Sequence, residues 1–136
     1  MLNMETLLEL SEDLGMKIEN AIRLKILSNV PPPLKEATIK RKGSSHTLID
    51  SGQMLASISH TIDDSVPELL QIWAGIFEED VAEYAVSHEY GREEAGIPCR
   101  SFIRSTYDEI FDNEMMPDIV DRLANLAKDQ LGKTNK

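Results

Sequence analysis

The apolar positions of residues 4–28 fall at three- and four-residue steps. Leu7, Leu10, Leu14, Ile18, Ala21, Ile22 and Ile26 make one stripe of an amphipathic helix. Glu5, Glu9, Glu12, Lys17, Glu19 and Arg23 are expected to cover much of the rest. Gly15 weakens its middle by about 1 kcal/mol relative to alanine. Pro31, Pro32 and Pro33 end it, because proline lacks a donor and biases the preceding residue to extended geometry. Residues 34–47 then lose the period. They are polar and basic, with Gly43, Ser44 and Ser45 together, and read as a flexible basic loop with one helical turn at residues 35–41.

The period changes again after a short helix that Asp50 and Gln53 are placed to cap. Ile58, His60 and Ile62 alternate with Ser57, Ser59 and Thr61, and "DDSVPE" separates them from "LLQIWAGIF". Two alternating runs around a polar turn predict an antiparallel hairpin. The second run is apolar on both faces, which predicts a central strand or one covered by a partner. Residues 79–90 allow a short helix stopped by Gly91, and "GREEAG" reads as a loop. "IPCRSFIRS" reads as a short extended segment. From Thr106 onward Ile110, Phe111, Met115, Ile119, Leu123, Leu126 and Ala127 form a last helical stripe, kinked or restarted at Pro117 and frayed over residues 132–136. The fold class is therefore α+β: a small antiparallel sheet flanked by a long N-terminal helix, a short middle helix and a C-terminal helix, in one domain spanning residues 1–136.

Charge narrows the partners. The 136 residues carry a formal net charge of -10, so free nucleic acid is a poor ligand for the surface as a whole. Base concentrates at Lys35, Lys40, Arg41 and Lys42, whereas acid dominates from Asp63 to Glu94. No recognition helix or aromatic platform accompanies the basic cluster, which favours a solvated or partner-facing loop. The basic loop of one copy pairing with the acidic face of another would build a head-to-tail ring. The single cysteine excludes an internal disulfide and a cysteine-cluster metal site. The N-terminal residues lack the pattern of a signal peptide, and no apolar run reaches bilayer length. Synthesis in the cytoplasm and no membrane association are the expectation.

Chemistry is sparse. His88 and Glu89 fail the zinc-protease spacing because Arg92 stands where the second histidine belongs, and His46 and His60 are assigned to a loop and a strand. Cys99 follows Pro98 and has no histidine fixed near it, which reads as a small half-buried residue. The serines lack a nucleophile-elbow context and the glycines do not form a phosphate-cradling loop. A hydrolase built on His88 and Glu89 or on Cys99, and a regulatory module that binds a basic partner, are the competing classes. No catalytic residue, metal or cofactor is assigned.

Two segments carry a family resemblance. The first is "PLKEATIKRKGSSHTLIDSGQMLASI", in which Thr38, Lys42, Leu48, Ser51, Gly52, Met54, Ser57 and Ile58 match. The second is the run from Tyr84, in which Ala85, His88, Glu89, Gly91, Ile97, Pro98, Arg100, Phe102, Ile103 and Arg104 match. In this order, over about 50 of the 136 residues, the chain resembles the neck and tail-completion proteins of tailed bacteriophages. Cys99 and Ser101 depart from that pattern, which more often has alanine and proline. The resemblance implies a structural virion protein forming a ring, commonly a hexamer, at the head–tail interface. Its neighbours would be head-connector or portal-side proteins and the tail tube or its terminator, with genomic DNA only as passing cargo and an acidic wall that does not hold it. Acting instead as the tail terminator is the alternative. The motif and interface candidates are Lys42, Leu48, Ser51, Gly52, His88, Glu89, Gly91, Pro98, Arg100, Phe102 and Arg104. Phe102 is expected to anchor the core, and Arg100 or Arg104 to pair with Glu89 in an acidic neighbourhood.

Overall fold

The structure, a computed structural model, describes residues 4–49, 52–67, 69–112 and 115–134. Helix α1 (Met4–Leu27) is followed by α2 (Glu36–Lys42), α3 (Gln53–Ala56), β1 (Ile58–Val66), β2 (Leu69–Ile76) and α4 (Glu79–Tyr90). A single 3-10 turn, Glu93–Ala95, precedes α5 (Arg104–Asp112) and α6 (Met115–Thr134). This is the expected α+β arrangement, with the helical content divided among more elements than the periodicity announced.

The two strands pair antiparallel, with Ile58 opposite Ile76, His60 opposite Ala74 and Ile62 opposite Ile72. An irregularity lies between Asp63 and Val66. β1 therefore runs four residues further than Ile62, because the polar "DDSV" completes the ladder instead of turning. An isolated hairpin is marginal in water, so one face must be packed. That face rests on α1, whose stripe delivers Ile18, Ile22 and Ile26 into a core shared with Ile58, Val81, Ala85, Phe102 and Ile110. On the opposite face Leu69, Trp73 and Phe77 are exposed, Trp73 at 52%. The two-faced apolar run is therefore not a central strand: among the described residues β2 pairs with β1 alone.

Two polar residues interrupt the α1–β1 interface. Gly15 lets the helix approach so closely that a Cβ there would lie 2.5 Å from His60 Cδ2. The His60 ring bridges Glu12, at 2.8 Å from Nε2, and Glu19, at 2.5 Å from Nδ1. Glu19 also pairs with Arg23, whose Nη2 reaches the Ile58 carbonyl at 2.7 Å. Glu19, expected on the solvent side, is buried because these partners lie across the interface. Burial alone would raise its pKa, but hydrogen bonds from His60 and Arg23 hold it below the ordinary carboxyl value.

Elsewhere the sequence reading needs adjustment. The basic connection contains α2, which ends at Gly43 in the left-handed conformation, rather than a single turn. Its C-terminal end is tied down. Asn29, itself left-handed, accepts the Thr47 N–H at 2.9 Å, and Lys42 Nζ donates to the His46 carbonyl at 2.8 Å. At α3 the N-cap position belongs to Gly52, without a side-chain cap, while Asp50 and Ser51 lie outside the described residues. The last helix restarts, with Pro117 in the first turn of α6. Phe111 is exposed against the ring of Tyr107 instead of lying on the buried stripe. α6 continues to Thr134.

Candidate functional site

The buried positions of α4 are Val81, Ala85, His88 and Glu89, the i, i+4, i+7, i+8 spacing of one helical stripe. The helix therefore drives a carboxylate into the interior at its last turn. Its burial raises the proton affinity of Glu89, but four hydrogen bonds outweigh that and hold it below the ordinary carboxyl value. Oε2 accepts the backbone N–H groups of Phe102 at 2.8 Å and Ile103 at 3.0 Å. Oε1 accepts the Arg104 N–H at 2.8 Å and the Ser101 hydroxyl at 2.7 Å. These N–H groups open α5, so a carboxylate of one helix satisfies the orphan donors of another and sits where the helix dipole favours negative charge. Ser101 extends the cap by accepting the Ser105 N–H at 3.1 Å.

The expected pairing of Glu89 with Arg100 or Arg104 does not occur, because both carboxylate oxygens are already saturated by N–H and O–H donors. Arg104 instead stacks over Tyr90, 4.9 Å from the ring centroid. Arg100 turns the other way, and its Nε donates to the Pro32 carbonyl at 2.8 Å. The proline run that precedes the first motif segment is thus bonded to the second segment.

The chain between α4 and α5 closes on itself. Arg92 and Ile97 exchange backbone hydrogen bonds of 2.7 and 3.0 Å, and the Arg100 N–H caps the His88 carbonyl at 2.8 Å. Gly91 adopts φ 80°, and a Cβ there would stand 2.9 Å from Cys99 N. Both conditions require glycine. Pro98 is exposed within this clip, and Cys99 is exposed rather than half-buried, its thiol donating to the Glu89 carbonyl at 3.1 Å. Phe102 has no accessible surface and anchors the clip in the core, as expected. Leu48 is buried in the same core, from the loop that precedes α3.

Of the remaining candidates, Lys42 and His88 line an open groove of 1360 Å³ between the residue 32–47 connection and the clip, whereas Gly52 lies by a separate pocket with Leu48 and Asp80. The groove's cations are Lys35, Arg41, Lys42, Arg92 and Arg100, with His88 on the wall. Among its described lining residues Glu93 is the sole carboxylate. Arg100 is 4% exposed, and no described carboxylate lies within ion-pair distance of it. Burial accordingly lowers its proton affinity. Its neighbourhood is cationic, not acidic as the sequence order implied. His88 is 9% exposed and edge-on to Tyr84, and burial, then Arg100 and Lys42, hold its pKa below the ordinary histidine value. Its Nδ1 and the Thr47 hydroxyl are buried without hydrogen-bond partners.

Chemically, Glu89 is a poor base: it is ionised and fully engaged as an acceptor. No group of His, Cys, Asp and Glu among the described residues is arranged to hold a metal ion, and no described helix is long and apolar enough to cross a membrane. The arrangement can receive an anion. Sequence reasoning saw both motif segments but missed the groove, since it arises only where they meet. The available signal was the α4 stripe, which places two polar residues at buried positions. No protein-family model, curated protein or solved structure matches the chain.

Proposed function

We propose that the protein is a structural component of a tailed-bacteriophage virion, forming a ring at the head–tail interface and joining the head connector to the tail tube. The observation that carries this reading is the meeting of the two motif segments: Thr38 and Lys42 of the first line one groove with His88, Pro98 and Arg100 of the second, and Glu89 fixes the start of α5. Residues that carry the resemblance are thereby occupied in holding the fold together rather than in a reacting constellation. The exposed apolar face of β2 supports assembly, since a strip of this kind marks a contact surface. An acidic overall charge suits a ring through which DNA passes without sticking.

The test is electron microscopy of particles from a phage whose copy of this gene is deleted. Separate heads and tails are expected. Joined, normal virions overturn the proposal, and joined particles with overlong, uncapped tails assign the terminator role in its place.

A further inference from the structure

Arg100 is the unusual group in this molecule. A nearly inaccessible guanidinium with no counter-ion is costly, and structures normally supply one. Here the described neighbours make matters worse: Lys42 and Arg41 share the groove and add like charge. The unpartnered Nδ1 of His88 and hydroxyl of Thr47, both more than nine-tenths buried, line the same groove. Together with the groove's lysines and arginines they mark a surface suited to an anion with more than one acceptor atom, such as a carboxylate.

The complementary feature lies elsewhere on the chain. Phe77, Glu78, Glu79 and Asp80 are exposed in succession, continuous with exposed Leu69 and Trp73 on β2. None of these three acids has an ion-pair partner among the described residues. Within one chain none of them pairs with a described groove cation, and α4 sets residues 78–80 about 12 to 15 Å from His88 along its axis.

We propose that the groove receives residues 77–80 of a second copy of this chain, with a carboxylate of that segment seated against Arg100 and Lys42 and Phe77 against the groove's apolar walls. The contact uses different surfaces on the two copies, so it repeats head to tail. It rests on the structural reading of the protein and names the surfaces through which copies would meet.

The experiment is sedimentation velocity of the full chain over a concentration series at low and high salt. It compares wild type with a groove variant, Lys35→Glu with Arg41→Glu, and a segment variant, Glu78→Lys with Glu79→Lys. All four substituted side chains are exposed, so circular dichroism should be unchanged. Wild type should self-associate, more weakly at high salt, and each variant should lose about tenfold or more in affinity. An equimolar mixture of the two variants should associate again. A wild type that stays monomeric, variants that associate as wild type does, or a mixture that stays apart overturns the inference. Duplex DNA binding that only the groove variant abolishes, with self-association unchanged, assigns the site to phosphate and likewise overturns it. Unaltered association in the variants alongside separated heads and tails in the deletion rejects this interface and keeps the neck reading. Restored pairing alongside normal virions does the reverse.

Discussion

Replacing Glu89 with glutamine changes one atom and tests the central joint of the fold. Oε1 serves Ser101 and Arg104, and Oε2 serves Phe102 and Ile103, at 2.7 to 3.0 Å. A glutamine must place its NH2 at one of these positions, so two donors then face a donor. Net contributions of hydrogen bonds to a charged group run at about 1.5–3 kcal/mol each. The lost charge at the start of α5 adds about 0.3–1 kcal/mol. The Ser101 hydroxyl can rotate and accept, which recovers part of one bond. A loss of about 2–4 kcal/mol is expected, a large share of the roughly 5–15 kcal/mol that holds a domain together. With a urea dependence of about 1–3 kcal/mol per molar, the midpoint followed by circular dichroism at neutral pH should fall by about 1–2 M. The folded pKa of Glu89 lies below its unfolded value, so its stabilisation is complete above the ordinary carboxyl range and disappears as pH falls through the folded value. Wild type and Glu89→Gln should therefore converge in acid. A midpoint shift under about 0.3 M, or curves that stay parallel into acid, refutes the claim that this carboxylate caps α5.

Two further outcomes follow from the α1–β1 interface. Gly15→Ala should destabilise by about 1 kcal/mol or more despite a helix-propensity gain of similar size, because the new Cβ meets a histidine ring pinned by two carboxylates; in a His60→Ala background, denaturant titration should show the sign reverse. His60 has its pKa raised by the hydrogen bonds it donates to Glu12 and Glu19 against the opposing effect of burial, so its contribution is full below the ordinary histidine value of 6.5 and is lost as pH rises through the folded value. The denaturation midpoint of wild type should accordingly decline on the alkaline side of neutrality relative to its acidic side, and that decline should vanish in His60→Asn.

Helix α1, the hairpin pairing and the stop at Gly91 were legible because each depends on local periodicity or on a residue with a special backbone preference. The tertiary uses of polar residues were not. Glu19 and His60 lie 41 positions apart, and no spacing rule connects a helix face to the strand that will cover it. Glu89 shows the same limit in another form. Opposite charges nearby in sequence favour an arginine partner on paper, yet the start of α5 offers several aligned N–H donors, and these win. Cys99 was placed half-buried by its neighbour Pro98, whereas the clip turns it outward. Phe102 was correctly placed because a lone large aromatic between a glycine-rich loop and a helix has few alternatives to the core.

The position of the sole tryptophan gives the protein an optical property of its own. Trp73 stands on the exposed face of β2, half accessible, with Leu69 and Phe77 beside it. An indole in water emits at longer wavelength than one in an apolar contact, so native fluorescence distinguishes a covered β2 face from an open one without any label. Assembly on that face should move the emission to the blue at constant protein concentration. Events confined to α6 or to the far side of α1 should leave the spectrum where it is.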